Sequence, residues 1–225
     1  IAGRPILSHI IERLRRAETV DEIVVATTTR DRDDGIARRA AECGAAVFRG
    51  SVDDVAGRVT AAALEYGADI IAHASGDNPL VAPEYVDAAV RHARVTGCDL
   101  CFMSGIPLGS GVDVFSRAAL LRVDREAVQA KNREHVNSYI FDHIDSFAVE
   151  ALPAEGTSAY AIRLTVDTSA DLALMRELYA RLYAPDSIVP IDEVIRLYRS
   201  EPGLFTQNAS VEQAYVSDNA RRLRQ

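Results

Sequence analysis

Apolar positions along this chain alternate between helical and strand spacing. Leu7, Ile10, Ile11 and Leu14 fall on one helical face, with Pro5 in the first turn and Glu12, Arg13, Arg15 and Arg16 outside. Ile23 to Thr27 reads as a buried strand. Asp31 and its neighbours cap a helix to about Cys43, which Gly44 ends. Ala45 to Phe48 is a second strand. Asp53 or Asp54 opens a helix to about Tyr66, stopped by Gly67. A third apolar run starts at Ala68 and breaks at Ser75-Gly-Asp-Asn-Pro79, because Pro79 cannot donate to a ladder and Gly76 lets the backbone turn or approach a ligand. A helix from Pro83 to Thr96 places Val86, Ala89, Val90 and Ala93 on one face, and Asp99 to Met103 is again a strand. This β-α-β-α rhythm with short connections predicts a mainly parallel sheet, helices on both faces and right-handed crossovers.

The rhythm breaks after Met103. Ser104 to Gly111 is a Gly/Pro loop, Val112 to Phe115 a short strand, and a helix runs on through Val128. Lys131 to Val136 opens another helical stretch. Ser146 to Leu152 alternates as a strand does, Pro153 to Ser158 is a loop, and Tyr160 to Val166 is strand-like again. Thr168 can cap a helix that turns Leu172, Met175, Tyr179 and Leu182 inward. Pro190 starts a last helix to about Tyr198, and the tail from Asn208 reads as polar and loosely held. The chain is expected to be a single domain, 1–225, with an inserted portion at about 104–160.

Composition narrows the function classes. Hydrophobic residues at 48% and charged residues at 26% describe a globular chain, and no apolar stretch reaches the roughly 18 residues of a membrane span. The formal charge of −8 argues against nucleic acid as a partner. Of 25 cationic residues only Lys131 is a lysine, so an anionic ligand must be gripped by Arg, backbone N–H groups or a metal. Three cysteines argue against a disulfide framework and for a reducing cytoplasm. Cys98 and Cys101 are expected on opposite faces of one strand, as structural thiols.

The candidate chemistry is carboxylate chemistry. Asp77 and Asp167 each follow an apolar run, and ligands of open α/β sheets bind beyond the carboxyl ends of strands. If the two runs are parallel members of one sheet, both carboxylates reach the same edge and make a hard oxygen site suited to Mg²⁺ and a phosphate. The plainer reading of Asp167 is a helix-start Asp favoured by the dipole, and of Asp77 a solvated turn.

Several motifs carry a resemblance. Ile1-Ala-Gly-Arg-Pro-Ile-Leu7, Phe48-Arg-Gly-Ser51, Asp54-Val-Ala-Gly-Arg58, Ser75-Gly-Asp-Asn-Pro79, Arg133-Glu-His-Val136 and Arg163-Leu-Thr-Val-Asp-Thr168 occur in the order seen in the cytidylyltransferases of spore-coat polysaccharide biosynthesis, which are related to the acylneuraminate and Kdo cytidylyltransferases. Nearly the whole chain resembles that family. The resemblance implies an α/β, Rossmann-like nucleotidyltransferase (GT-A-like) three-layer sandwich. It also implies transfer of CMP from CTP to an acidic sugar with Mg²⁺, in a cytoplasmic homodimer whose contact falls in about 104–160.

Carried over by position, the resemblance makes Asp77 and Asp167 metal ligands, puts Arg58, Ser75 and Gly76 in the nucleotide pocket, and puts Gly109 and Asp113 in a sugar-side loop. Arg133, Glu134 and His135 form a second sugar-side cluster, Arg163 lies beside the metal Asp, and His135 is the candidate general base. Blander alternatives stand beside these. Arg58 can lie on a solvated helix face, His135 can be a structural histidine, Arg163 can pair with a neighbouring acid, and His73 reads as core. The family also has a strand and an R-x-x-S-x-R-L-P-x-K triphosphate loop ahead of the segment matching Ile1 to Leu7. Here Ile1 opens inside a turn, so an N-terminal segment is expected to be missing, leaving exposed backbone edges. Without that loop, the rival function is a non-catalytic nucleotide- or sugar-binding module or a partner-dependent subunit.

Overall fold

The computed structural model describes residues 1–154, 159, 161–211 and 218–224. The first half follows the expected rhythm: α1 (Ile6–Leu14), β1 (Val24–Thr28), α2 (Asp34–Glu42), β2 (Ala46–Gly50), α3 (Val55–Glu65), β3 (Ile70–His73), α4 (Pro83–Thr96) and β4 (Leu100–Ser104). Asp54 is the residue that caps α3, accepting from the Gly57 N–H at 2.8 Å. The second half adds β5 (Asp113–Ser116), α5 (Arg117–Glu126), α6 (Ala130–Glu134), α7 (Ser138–Asp142), β6 (Val149–Pro153), α8 (Ser169–Leu182), α9 (Ile191–Ser200) and α10 (Asp218–Arg224).

The strands form two sheets. β1 and β2 pair in parallel, and a four-stranded sheet runs β3-β5-β4-β6. In the larger sheet β3, β4 and β6 share one direction, and β5 opposes both its neighbours. Alternation along these strands feeds two cores. Ile71, Leu100, Phe102 and Phe115 face a cluster with α3, α5 and α7, whereas Ile70, Ala72, Cys101 and Val114 face α1 and α4. A third cluster, with Leu80, Ile162, Leu164, Leu174 and Val194, lies under α8 and α9 beside the site.

β1 and β3 do not pair, and each keeps an edge without a strand partner among the described residues. Ile23 C=O and Thr29 N–H bond to β2, so Ala26 and Thr28 present their carbonyls to the other side. Those carbonyls accept from the guanidinium Nε of Arg58 (3.2 Å) and of Arg49. Side chains thus satisfy two carbonyls of that edge.

Three expectations are corrected. The run expected as a strand at Tyr160 to Val166 makes only a single bridge, Arg163 to Leu108, and residues 155–158 and 160 lie outside the described residues. Its amides and carbonyls go instead to the Leu108 backbone and to Asp77. Cys98 precedes β4, so strand alternation does not govern it. Both thiols are free and buried in one apolar cluster, and burial together with the neighbouring Cys98 pushes the Cys101 thiol up to about 12. The tail from Asn208 is not loose throughout: Asn208 is buried, and Ala220 on α10 sits in the core beside Phe141.

Candidate active site

A cavity of about 320 Å³ opens beyond the ends of β3 and β4, within the roughly 300–1,000 Å³ usual for small-molecule sites. Asp77 and Asp167 both line it. They do not meet as ends of parallel strands. The Val166 N–H donates to Asp77 C=O at 2.9 Å, and this bond sets the residue before Asp167 against Asp77.

The 162–166 strip is positioned by the loop before β5. Leu108 N–H donates to Ile162 C=O and Leu164 N–H to Leu108 C=O, each at 2.8 Å. Gly109, at φ +89°, follows directly. A Cβ there would lie 2.9 Å from Thr165 N and 3.0 Å from Leu164 C. Gly109 therefore serves the placement of Asp167. Gly109→Ala is expected to cost about 1–3 kcal/mol in denaturant melts and to lower turnover, because the obstructing atoms are backbone. Gly76→Ala is expected to melt within about 0.5 kcal/mol of wild type, since its Cβ meets open space.

Asp167 is braced from its own strip. Its Oδ2 accepts from Arg163 Nη2 at 2.5 Å and from Thr165 Oγ1 at 2.9 Å. Arg163 Nε also donates to Asp171 Oδ1 at 3.0 Å. Asp171 is buried and closes the capping box of α8 with Thr168, while Asn208 Nδ2 donates to it at 2.8 Å. Burial opposes ionisation of Asp171, but Arg163, Asn208 and Thr168 outweigh it and hold its carboxyl down at about 2. Arg163 is thus both at the cavity and a brace of the fold.

Asp77 is in the opposite state. Burial and then the charge of Asp167 push its carboxyl up from the usual range. Its Oδ1 and the Asn78 Oδ1 are buried without a hydrogen-bond partner. Two abutting carboxylates, one with an orphaned oxygen, are groups that a divalent cation could satisfy. Among the described residues no group of three or more His, Cys, Asp or Glu is disposed to hold a metal.

Ser75, Asp113 and His135 also line the cavity, and so does His73, which the sequence placed in the core. Arg58, Gly76, Arg133 and Glu134 do not line it. Arg58 serves the edge of β1 and the Ser51 carbonyl. Arg133 ties the α3 cap Asp54 to Asp124 of α5, its Nη2 donating to Asp124 Oδ1 at 2.7 Å. Glu134 is exposed. Sequence reasoning missed Asn137, Thr165, Phe141 and Arg224, all of which line the cavity. Asn137 stood one residue past a quoted motif and Thr165 inside one, whereas Arg224 carried no local signal.

Helices on both faces of a mixed sheet, with paired carboxylates in a cavity beyond its strand ends, are the architecture of a Rossmann-like nucleotidyltransferase. The chain belongs to the cytidylyltransferase family, whose model matches residues 1–219. It is 30% identical to the spore coat polysaccharide biosynthesis protein SpsF of Bacillus subtilis, over 92% of this chain and 88% of that one. Over a shorter span, 40% of this chain and 35% of the relative, it is 40% identical to the 3-deoxy-manno-octulosonate cytidylyltransferase of Geobacter sulfurreducens. A solved cytidylyltransferase from Leptospira borgpetersenii serovar Hardjo-bovis has the same fold, with a TM-score of 0.84 at 24% identity, covering 95% of this chain and 89% of that one.

Proposed function

We propose that this protein transfers CMP from CTP to an acidic sugar, releasing pyrophosphate, in the synthesis of a surface polysaccharide. The observation that carries this reading is the abutting pair Asp77 and Asp167 in a cavity lined by His135 and Ser75. The sugar hydroxyl attacks the α-phosphorus of CTP, the bond to the β-phosphate bridging oxygen breaks, and pyrophosphate leaves with that electron pair. The hydroxyl proton passes to His135 in this reading. Asp77 and Asp167 would hold Mg²⁺, which when bound supplies charge neutralisation at the reacting phosphate. Arg163 and Thr165 keep Asp167 oriented. Gly109 keeps the strip that carries Asp167 close to Asp77.

The relatives' names support the nucleotide and the sugar class: one is a 3-deoxy-manno-octulosonate cytidylyltransferase, and another serves spore coat polysaccharide. The proposal extends to a cytoplasmic homodimer in contact through about 104–160. Among the described residues no helix is long and apolar enough to cross a membrane. The test is pyrophosphate release from the product of the full reading frame, with Mg²⁺, each of the four nucleoside triphosphates, and a panel of acidic and amino sugars. Release with CTP and one acidic sugar is the expected result. No release with any pair, with CTP binding still seen by calorimetry, would favour the binding-module reading instead.

A further inference from the structure

The last helix closes one side of the cavity. α10 presents Ala220 and Arg224, one turn apart, to the space lined by Asp113, Asn137 and Phe141. Both ends of the helix are fastened to the walls. Asn219 Nδ2 donates to Phe141 C=O at 3.0 Å, and Gly105 N–H donates to Arg224 C=O at 2.9 Å. The Arg224 guanidinium carbon lies 4.4 Å from the Phe102 ring centroid and 5.9 Å from that of Phe141.

Asp113 holds this guanidinium in place. Arg224 Nη2 donates to Asp113 Oδ1 at 2.5 Å, and Asn137 Nδ2 donates to the other oxygen at 2.6 Å. Each Asp113 oxygen thus has one donor in place, and one of those donors is the Arg224 guanidinium. The bond to Asp113 uses one of the five N–H groups of a guanidinium. The other arginine of the cavity, Arg163, is bound at Nε and Nη2 to Asp171 and Asp167. The Arg224 side chain is only 23% exposed, so its charge is weakly screened by water.

We infer that Arg224 is a specificity-determining residue that receives the carboxylate of an acidic sugar, with Asp113 and Asn137 as positioning residues. A planar guanidinium seated on an aromatic face matches a carboxylate with two parallel donors, which an amide or hydroxyl of the same sugar cannot replace. This inference rests on the sugar-transfer reading above and names the group by which the sugar is selected.

The test compares wild type, Arg224→Gln and Arg224→Lys in pyrophosphate release. The substrates are CTP with the acidic sugar that wild type uses best, and the carboxamide of that sugar. In Arg224→Gln the KM for the acidic sugar is expected to rise roughly tenfold or more, with the KM for CTP within about twofold and the carboxamide little affected, because a charged hydrogen bond is lost. Arg224→Lys is expected to restore part of the preference. An unchanged preference in Arg224→Gln would overturn the role of Arg224 and leave cytidylyl transfer standing. A wild type that uses only uncharged sugars would overturn the inference together with the acidic-sugar class, and a wild type inactive with every sugar would overturn the transfer reading itself. If Arg224→Gln fails to fold, judged by its melt and CTP binding, hydrogen exchange on wild type carries the test. The acidic sugar should slow exchange in 218–224 where its carboxamide does not, and slowing confined to 163–171 would overturn the inference.

Discussion

Asp77→Asn is expected to lower turnover by about 10²–10³-fold, the scale seen when one preorganised charge-stabilising group is removed, while the variant melts at or above the wild-type temperature. The two effects share a cause. Asp77 faces Asp167 with a buried oxygen that no protein group satisfies, and burial and the neighbouring charge already disfavour its ionised form. Asparagine keeps the shape and removes one of the two repelling charges, so the fold without cation gains or is unchanged. Asp167 keeps Arg163 and Thr165. Between the ordinary value of 3.8 and its raised native value, the folded Asp77 binds more protons than the unfolded chain, so at this group wild type gains stability as pH falls through that window. The variant should lack that gain. Pyrophosphate kinetics with Mg²⁺ and calorimetric melts in chelator check both halves. Wild-type turnover would remove Asp77 from the mechanism, and a melting temperature several degrees lower would make it a structural residue.

The α/β rhythm was legible because helices and strands in the first half bury long runs of apolar residues at their own spacing. Asp77 was legible for the same reason: a strand that stops at Gly-Asp-Asn-Pro leaves its carboxylate beyond the sheet. The meeting of Asp77 with Asp167 was also expected, but by another route. The run before Asp167 has the composition of a strand, yet its backbone pairs with a loop and with Asp77, and composition does not choose a pairing partner. Motif position located Arg58 and Arg133 but not the direction of their guanidinium groups. Arg58 turns to the β1 edge, and Arg133 to the acids that cap and flank α3 and α5. Arg224 shows the opposite failure. Seven residues of helix have too short a period to read, and the residue reaches Asp113 across 111 positions of sequence.

The largest loss of stability is expected from Asp171→Ala, about 3–5 kcal/mol, the cost of removing one partner from a buried ion pair. The Asp171 side chain has no exposed surface, and Arg163, exposed by only 10%, would be left with Asp167 alone on its charged face. The same substitution removes the reciprocal bonds that start α8 and the acceptor for Asn208. Denaturant unfolding measures the loss, and a change under about 1 kcal/mol would place the pair among ordinary surface bridges. The pH dependence supplies a second check. Because the native carboxyl sits at about 2 against an ordinary 3.8, its contribution is complete above 3.8 and disappears as pH falls toward 2. The stability deficit of Asp171→Ala relative to wild type should therefore shrink across that acid window by the ionisation-linked part, about 2 kcal/mol. Turnover should fall as well, because Arg163 is the strut through which Asp171 steadies Asp167 beside Asp77.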